Sequence, residues 1–76
     1  MTRESPIFYD PATDSMYVRF RDGNQWDQKV QDDRDLVIDY DEHGNLVGYD
    51  IQYASRHLDV VAEAMAILRG NMPKAA

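Results

Sequence analysis

The hydrophobic period of this chain changes once, just after Tyr53, and that single change bounds the folds open to it. Before it, apolar residues recur every second position. Met16, Val18 and Phe20 alternate with Tyr17, Arg19 and Arg21. Leu36, Ile38 and Tyr40 repeat the pattern, as do Val47, Tyr49, Ile51 and Tyr53. Period two is the signature of a strand with one buried and one wet face. After Tyr53, Leu58, Val61, Ala62, Met65 and Leu68 follow a 3–4 spacing, which is helical. Ser55 is placed to cap such a helix, and Gly70 to end it, so about 14 residues of helix are expected.

Short turn sequences separate the strands. Asp10-Pro11-Ala12-Thr13-Asp14 follows the run Ile7-Phe8-Tyr9, Asp22-Gly23-Asn24 follows the second strand, and Asp41-Glu42-His43-Gly44-Asn45 is a hairpin loop. Trp26, Gln28 and Val30 share one face of a weaker strand, and Asp32-Asp33-Arg34-Asp35 reads as a solvated turn. Loops this short join antiparallel neighbours. The expectation is a two-layer α+β domain. An antiparallel β-meander of four to five strands is covered on one face by one C-terminal helix.

Size and charge narrow the function. With 76 residues the chain holds one domain, its folded core expected over about 6–70 with a flexible tail at 71–76. It carries no cysteine, which removes a disulfide scaffold, a thiolate metal site and a cysteine nucleophile. The net charge of −6 argues against nucleic acid and anionic membrane as partners. No apolar run follows the first residues or approaches membrane-spanning length, so a cytoplasmic protein is expected.

The segments Tyr9-Asp10-Pro11 and Asp39-Tyr40-Asp41 with Gly44-Asn45-Leu46-Val47-Gly48 resemble a small prokaryotic family, the domain-of-unknown-function family numbered 2283. The likeness spans roughly residues 7–58. Tyr49 stands where that family more often has an aliphatic residue, and His43 where it often has an acid. The resemblance implies no activity and no catalytic residues. Its members are often encoded beside small toxin-like proteins, which implies an antitoxin-like role.

Candidate chemistry is sparse. Asp39, Asp41, Gly44, Leu46 and Asp50 fall at the spacing of an EF-hand calcium loop, but the flanks alternate like strands where that motif needs helices. His43 and His57 have no histidine partner at i+3 or i+4, and Ser5, Ser15 and Ser55 have no general base nearby in sequence. No catalytic residue, metal or cofactor is therefore assigned. Two surfaces stand out instead. Tyr17, Arg19 and Arg21 form an outward face, where Arg–Asp pairing with Asp39 and Asp50 competes with a recognition role. On the helix, Val60, Ala64 and Ile67 lie beside the core stripe and widen its apolar sector beyond what one sheet should bury. Either the helix sinks deeply into the core, or a second copy or a foreign protein covers the surplus. The leading expectation is a non-enzymatic protein–protein interaction module, antitoxin-like or regulatory. The alternatives are a divalent-metal hydrolase or nuclease using Asp39, Asp41 and Asp50, and a structural homo-oligomeric adaptor.

Overall fold

The chain forms the expected α+β architecture, seen in a computed structural model that describes residues 6–70. The tail expected at 71–76 lies outside the described residues. Five strands come first: β1 (Ile7–Asp10), β2 (Ser15–Arg19), β3 (Asp27–Gln31), β4 (Leu36–Tyr40) and β5 (Leu46–Ile51). One helix, α1 (Leu58–Leu68), follows them. Short 3-10 turns at Asp32–Arg34 and Ala54–Arg56 precede β4 and α1.

The strands make one antiparallel sheet in the order β1-β2-β5-β4-β3. A hairpin, β1–β2, and a three-stranded meander, β3–β4–β5, are joined because β5 docks on β2. Residues 20–26 carry the chain from the middle of the sheet to its far edge. They include Gly23 at φ 142°, a conformation that glycine adopts without a steric penalty.

Alternation decides which side chains meet the helix. Val18, Leu36, Ile38, Tyr49 and Ile51 point toward α1 and form the core with Ala54, Val60, Ala64 and Ile67. Burying a valine or isoleucine fully is worth about 1.5–3 kcal/mol, so these few residues dominate the stability. Phe20 packs edge-on against Tyr49, with ring centroids 5.2 Å apart. The register slips between Asp39↔Gly48 and Tyr40↔Leu46, which leaves Val47 as the extra residue of a bulge. The slip returns Leu46 to the helix side, where it packs on the core.

Two expectations about the helical segment are corrected. Ser55 does not cap α1; the residue before the helix is His57, and no side chain caps it. Tyr53 takes φ 52° and turns the chain into a 3-10 turn, where the Ser55 hydroxyl donates to Asp14 at 2.6 Å. The α-helix is consequently 11 residues long. Second, Val60, Ala64 and Ile67 are the buried centre of the helix, at 0%, 0% and 6% exposure, while Leu58 is 69% exposed. At 100° per residue the stripe Leu58, Val61, Met65 and Leu68 lies about a third of a turn from that centre. Val61, Met65 and Leu68 of that stripe pack half-buried against the core, and Leu58 is left as its exposed apolar residue. The strand β3 differs too. Trp26 falls just before it and is 70% exposed, its Val30 is 59% exposed, and Asp27, Lys29 and Gln31 pair with Tyr40, Ile38 and Leu36 on the helix side.

Candidate functional site

The outward face flagged in the sequence is built around Tyr17. Its strand partners are Phe8 on β1 and Asp50 on β5. The Tyr17 ring lies over Gly48. A β-carbon at Gly48 would sit 2.7 Å from the Tyr17 Cζ and 2.8 Å from the Val18 carbonyl oxygen, so only glycine fits. This close approach carries the phenol across β5, where it donates to Asp39 Oδ2 at 3.1 Å. The Gln28 amide donates to Asp39 Oδ1 at 3.2 Å. Asp39 is 7% exposed, and both its oxygens are thereby partnered. Burial and the Asp39 charge push the Tyr17 hydroxyl up to about 12. Burial also raises the Asp50 carboxyl, although the Gln52 amide donates to it at 2.8 Å.

Neither Arg19 nor Arg21 enters an ion pair among the described residues, so the expected Arg–Asp pairing is absent there. Arg19 is exposed at the end of β2, and Arg21 lies beyond the strand. Asp39 is satisfied by neutral hydrogen-bond donors instead. Asp41 stands apart from this group. Its Oδ1 accepts from the backbone of His43 at 2.9 Å and of Asn45 at 2.8 Å, and Gly44 closes the loop at φ 80°. These bonds hold its carboxyl below the usual range. Asp41 thus serves the hairpin loop, while Asp39 and Asp50 are bonded to neighbours on the sheet. Among the described residues, no three His, Cys, Asp or Glu side chains lie close enough to hold a metal ion.

The two flanks of α1 are finished differently. Toward β3 and β4, Glu63 accepts from the Arg34 guanidinium at 2.5 Å and from the Tyr49 hydroxyl at 2.5 Å. Arg34 also donates to Gln31 at 3.0 Å. One carboxylate therefore joins the helix to β5 and to the turn before β4. Burial and this bond raise the Tyr49 hydroxyl strongly. Nearby, His57 Nε2 meets Asp35 Oδ2 at 2.9 Å.

Toward β1 and β2 the flank stays open. Tyr9, Met16, Ala54, Ser55, Leu58 and Val61 line a groove of about 220 Å³. Its polar rim is one carboxylate. Asp14 accepts from the Tyr9 hydroxyl at 2.8 Å and from the Ser55 hydroxyl at 2.6 Å, and the Ser55 amide points at both its oxygens. The Ser55 and Tyr9 hydrogen bonds hold the Asp14 carboxyl below its ordinary range. Asp14 itself has φ 55°, a conformation that aspartate tolerates better than most residues, and its carbonyl accepts from Ala54 at 2.8 Å. Sequence reading placed Asp14 only in a turn. Its partner Ser55 is 41 residues away, and no local pattern joins the two.

Comparison with known proteins adds one match. The family described as a protein of unknown function (DUF2283) covers residues 7–55. No curated protein and no solved structure matches. The chain belongs to that family.

Proposed function

We propose that this member of the family is a non-enzymatic protein–protein interaction module, acting through the open flank of α1. The observation that carries the reading is the asymmetry of the helix: Glu63 bridges one flank, while Leu58, 69% exposed, stands on the other beside an apolar groove. An exposed apolar surface next to a groove on so small a domain is the usual mark of a contact site. The contact residues move accordingly. Leu58, Val61, Tyr9 and Met16 replace the buried Val60, Ala64 and Ile67, and Tyr17 is engaged with Asp39.

The partner we favour is another small protein of the cytoplasm, held in an antitoxin-like or regulatory complex; this form rests on the toxin-like neighbours that the family resemblance implies. The hydrolase reading asks Asp39, Asp41 and Asp50 to converge, and the hairpin geometry gives it no support. The test is co-expression with the products of adjacent genes, followed by sedimentation of wild type and Leu58→Asp. A stoichiometric complex lost in Leu58→Asp supports the module. A complex indifferent to that substitution, or no complex at all, sinks it. Self-association lost in Leu58→Asp turns the reading toward a homo-oligomeric adaptor.

A further inference from the structure

We propose that the groove between the β1–β2 hairpin and the start of α1 takes one large apolar side chain from a basic partner segment, whose neighbouring lysine or arginine pairs with Asp14. This deepens the module reading and rests on it.

Size sets the first limit. At about 220 Å³ the groove is smaller than the roughly 300–1,000 Å³ typical of small-molecule sites, and it suits a single side chain. Chemistry sets the second. The walls are apolar apart from the Tyr9 and Ser55 hydroxyls, and both hydroxyls already donate to Asp14. An entering polar group would find no free donor on the walls. The acceptor at the rim is fixed, because a carboxylate held by donors on two sides keeps its place and its charge. Asp10 lies at the end of β1, and Asp59 in the first turn of α1. Among the described residues Arg56 is the cation whose charge acts on Asp14, and its guanidinium lies over the Tyr53 ring, 5.6 Å from its centre.

Charge selects the occupant. A protein of net charge −6 steers basic surfaces toward itself and repels acidic ones. A second copy is a poor occupant for that reason. A two-fold contact through this groove would set two Asp14 carboxylates and two net charges of −6 against each other.

The test is an NMR titration of the full chain with three synthetic amphipathic peptides: leucine with lysine, leucine with glutamate, and serine with lysine. The leucine–lysine peptide should shift the resonances of Tyr9, Met16, Leu58 and Val61. It should bind at least about tenfold more tightly than either of the others, a difference near 1.4 kcal/mol. Asp14→Asn keeps one acceptor oxygen, the hydroxyl at the other position can turn to accept from the new amide, and asparagine tolerates the backbone conformation, so it should fold and lose most of that preference. Equal binding of the leucine–glutamate peptide overturns the proposal, as do equal shifts from the serine–lysine peptide. Concentration-dependent shifts of the same resonances without peptide also overturn it, in favour of a second copy. If no peptide shifts the groove while a Leu58-dependent complex with a gene neighbour still forms, this assignment fails and the module reading survives.

Discussion

The two flanks of α1 solve the same problem in opposite ways. A single 11-residue helix cannot cover a five-stranded sheet, so each side leaves an edge to be finished. Toward β3 the chain uses polar chemistry. Asp27, Lys29 and Gln31 occupy the helix side of the edge strand, and Glu63 ties the helix to Arg34 and Tyr49. Charged residues on an edge discourage unwanted pairing. Toward β1 the chain uses apolar residues without a bridge to α1, and Tyr9 and Leu58 remain 44% and 69% exposed. One flank is bridged by a carboxylate. The other leaves apolar surface exposed.

The largest expected effect comes from the helix itself, because burial there marks the boundary between the flanks. Ile67→Ala should cost about 2–5 kcal/mol, the range for truncating a buried isoleucine. Leu58→Ala should change stability by no more than about 0.5 kcal/mol, as exposed substitutions do. Urea denaturation measures both. Equal costs at the two positions would erase the distinction between centre and flank.

Gly48→Ala tests the strand on which both flanks rest. The new methyl meets the Tyr17 ring and the Val18 carbonyl, and the carbonyl belongs to the β2 backbone. Overpacking of this kind costs about 1–3 kcal/mol. Pairing it with Tyr17→Ala should relieve only part of the loss, since the Val18 clash remains. Full recovery in the double variant would place all of the constraint in the tyrosine.

Glu63→Ala should open the closed flank. It leaves the Arg34 guanidinium and the Tyr49 hydroxyl without their carboxylate, and the half-exposed setting limits the cost to about 1–2 kcal/mol. A double-mutant cycle with Arg34→Ala should return a coupling of about 0.5–1 kcal/mol. A coupling of zero would mean that the bridge closes the flank without stabilising it.

The contrast between the flanks was only half legible in the sequence. Period-two alternation and the switch after Tyr53 carried the strands, the helix and the antiparallel two-layer fold, because these follow from local sidedness. The helix face did not follow. Val60, Ala64 and Ile67 form as good a stripe as Leu58, Val61, Met65 and Leu68, and only packing against Val18, Leu36 and Ile51 chooses between them. The Asp14–Ser55 and Arg34–Glu63 contacts join residues 41 and 29 positions apart. Each residue has a sufficient local role, a turn or a helix surface, so nothing in the pattern asks for its distant partner. Tyr49 is the exception that left a trace. A tyrosine on the apolar side of its strand is buried, and its hydroxyl meets Glu63.

The smallest effect concerns the outer face, which belongs to neither flank. The Tyr17 hydroxyl is pushed up to about 12 by burial first and by Asp39 second, against an ordinary value near 10. A group raised in the folded state contributes stability that is complete below its unfolded value and disappears as pH climbs through the folded one. Folding should therefore weaken from about pH 10 to 12, and Tyr17→Phe should flatten part of that decline. The flattening is partial because Tyr49 and Tyr9 are also raised and weaken the fold in alkali by the same linkage. Urea midpoints at about pH 9 and 11 read the difference, and parallel declines in wild type and Tyr17→Phe would remove Tyr17 from it. Because Tyr17 points away from α1, the same variant should bind the leucine–lysine peptide as wild type does. Weakened binding would show that the outer face and the open flank are coupled through β2, and the groove would then have to be understood as part of the sheet rather than of the helix.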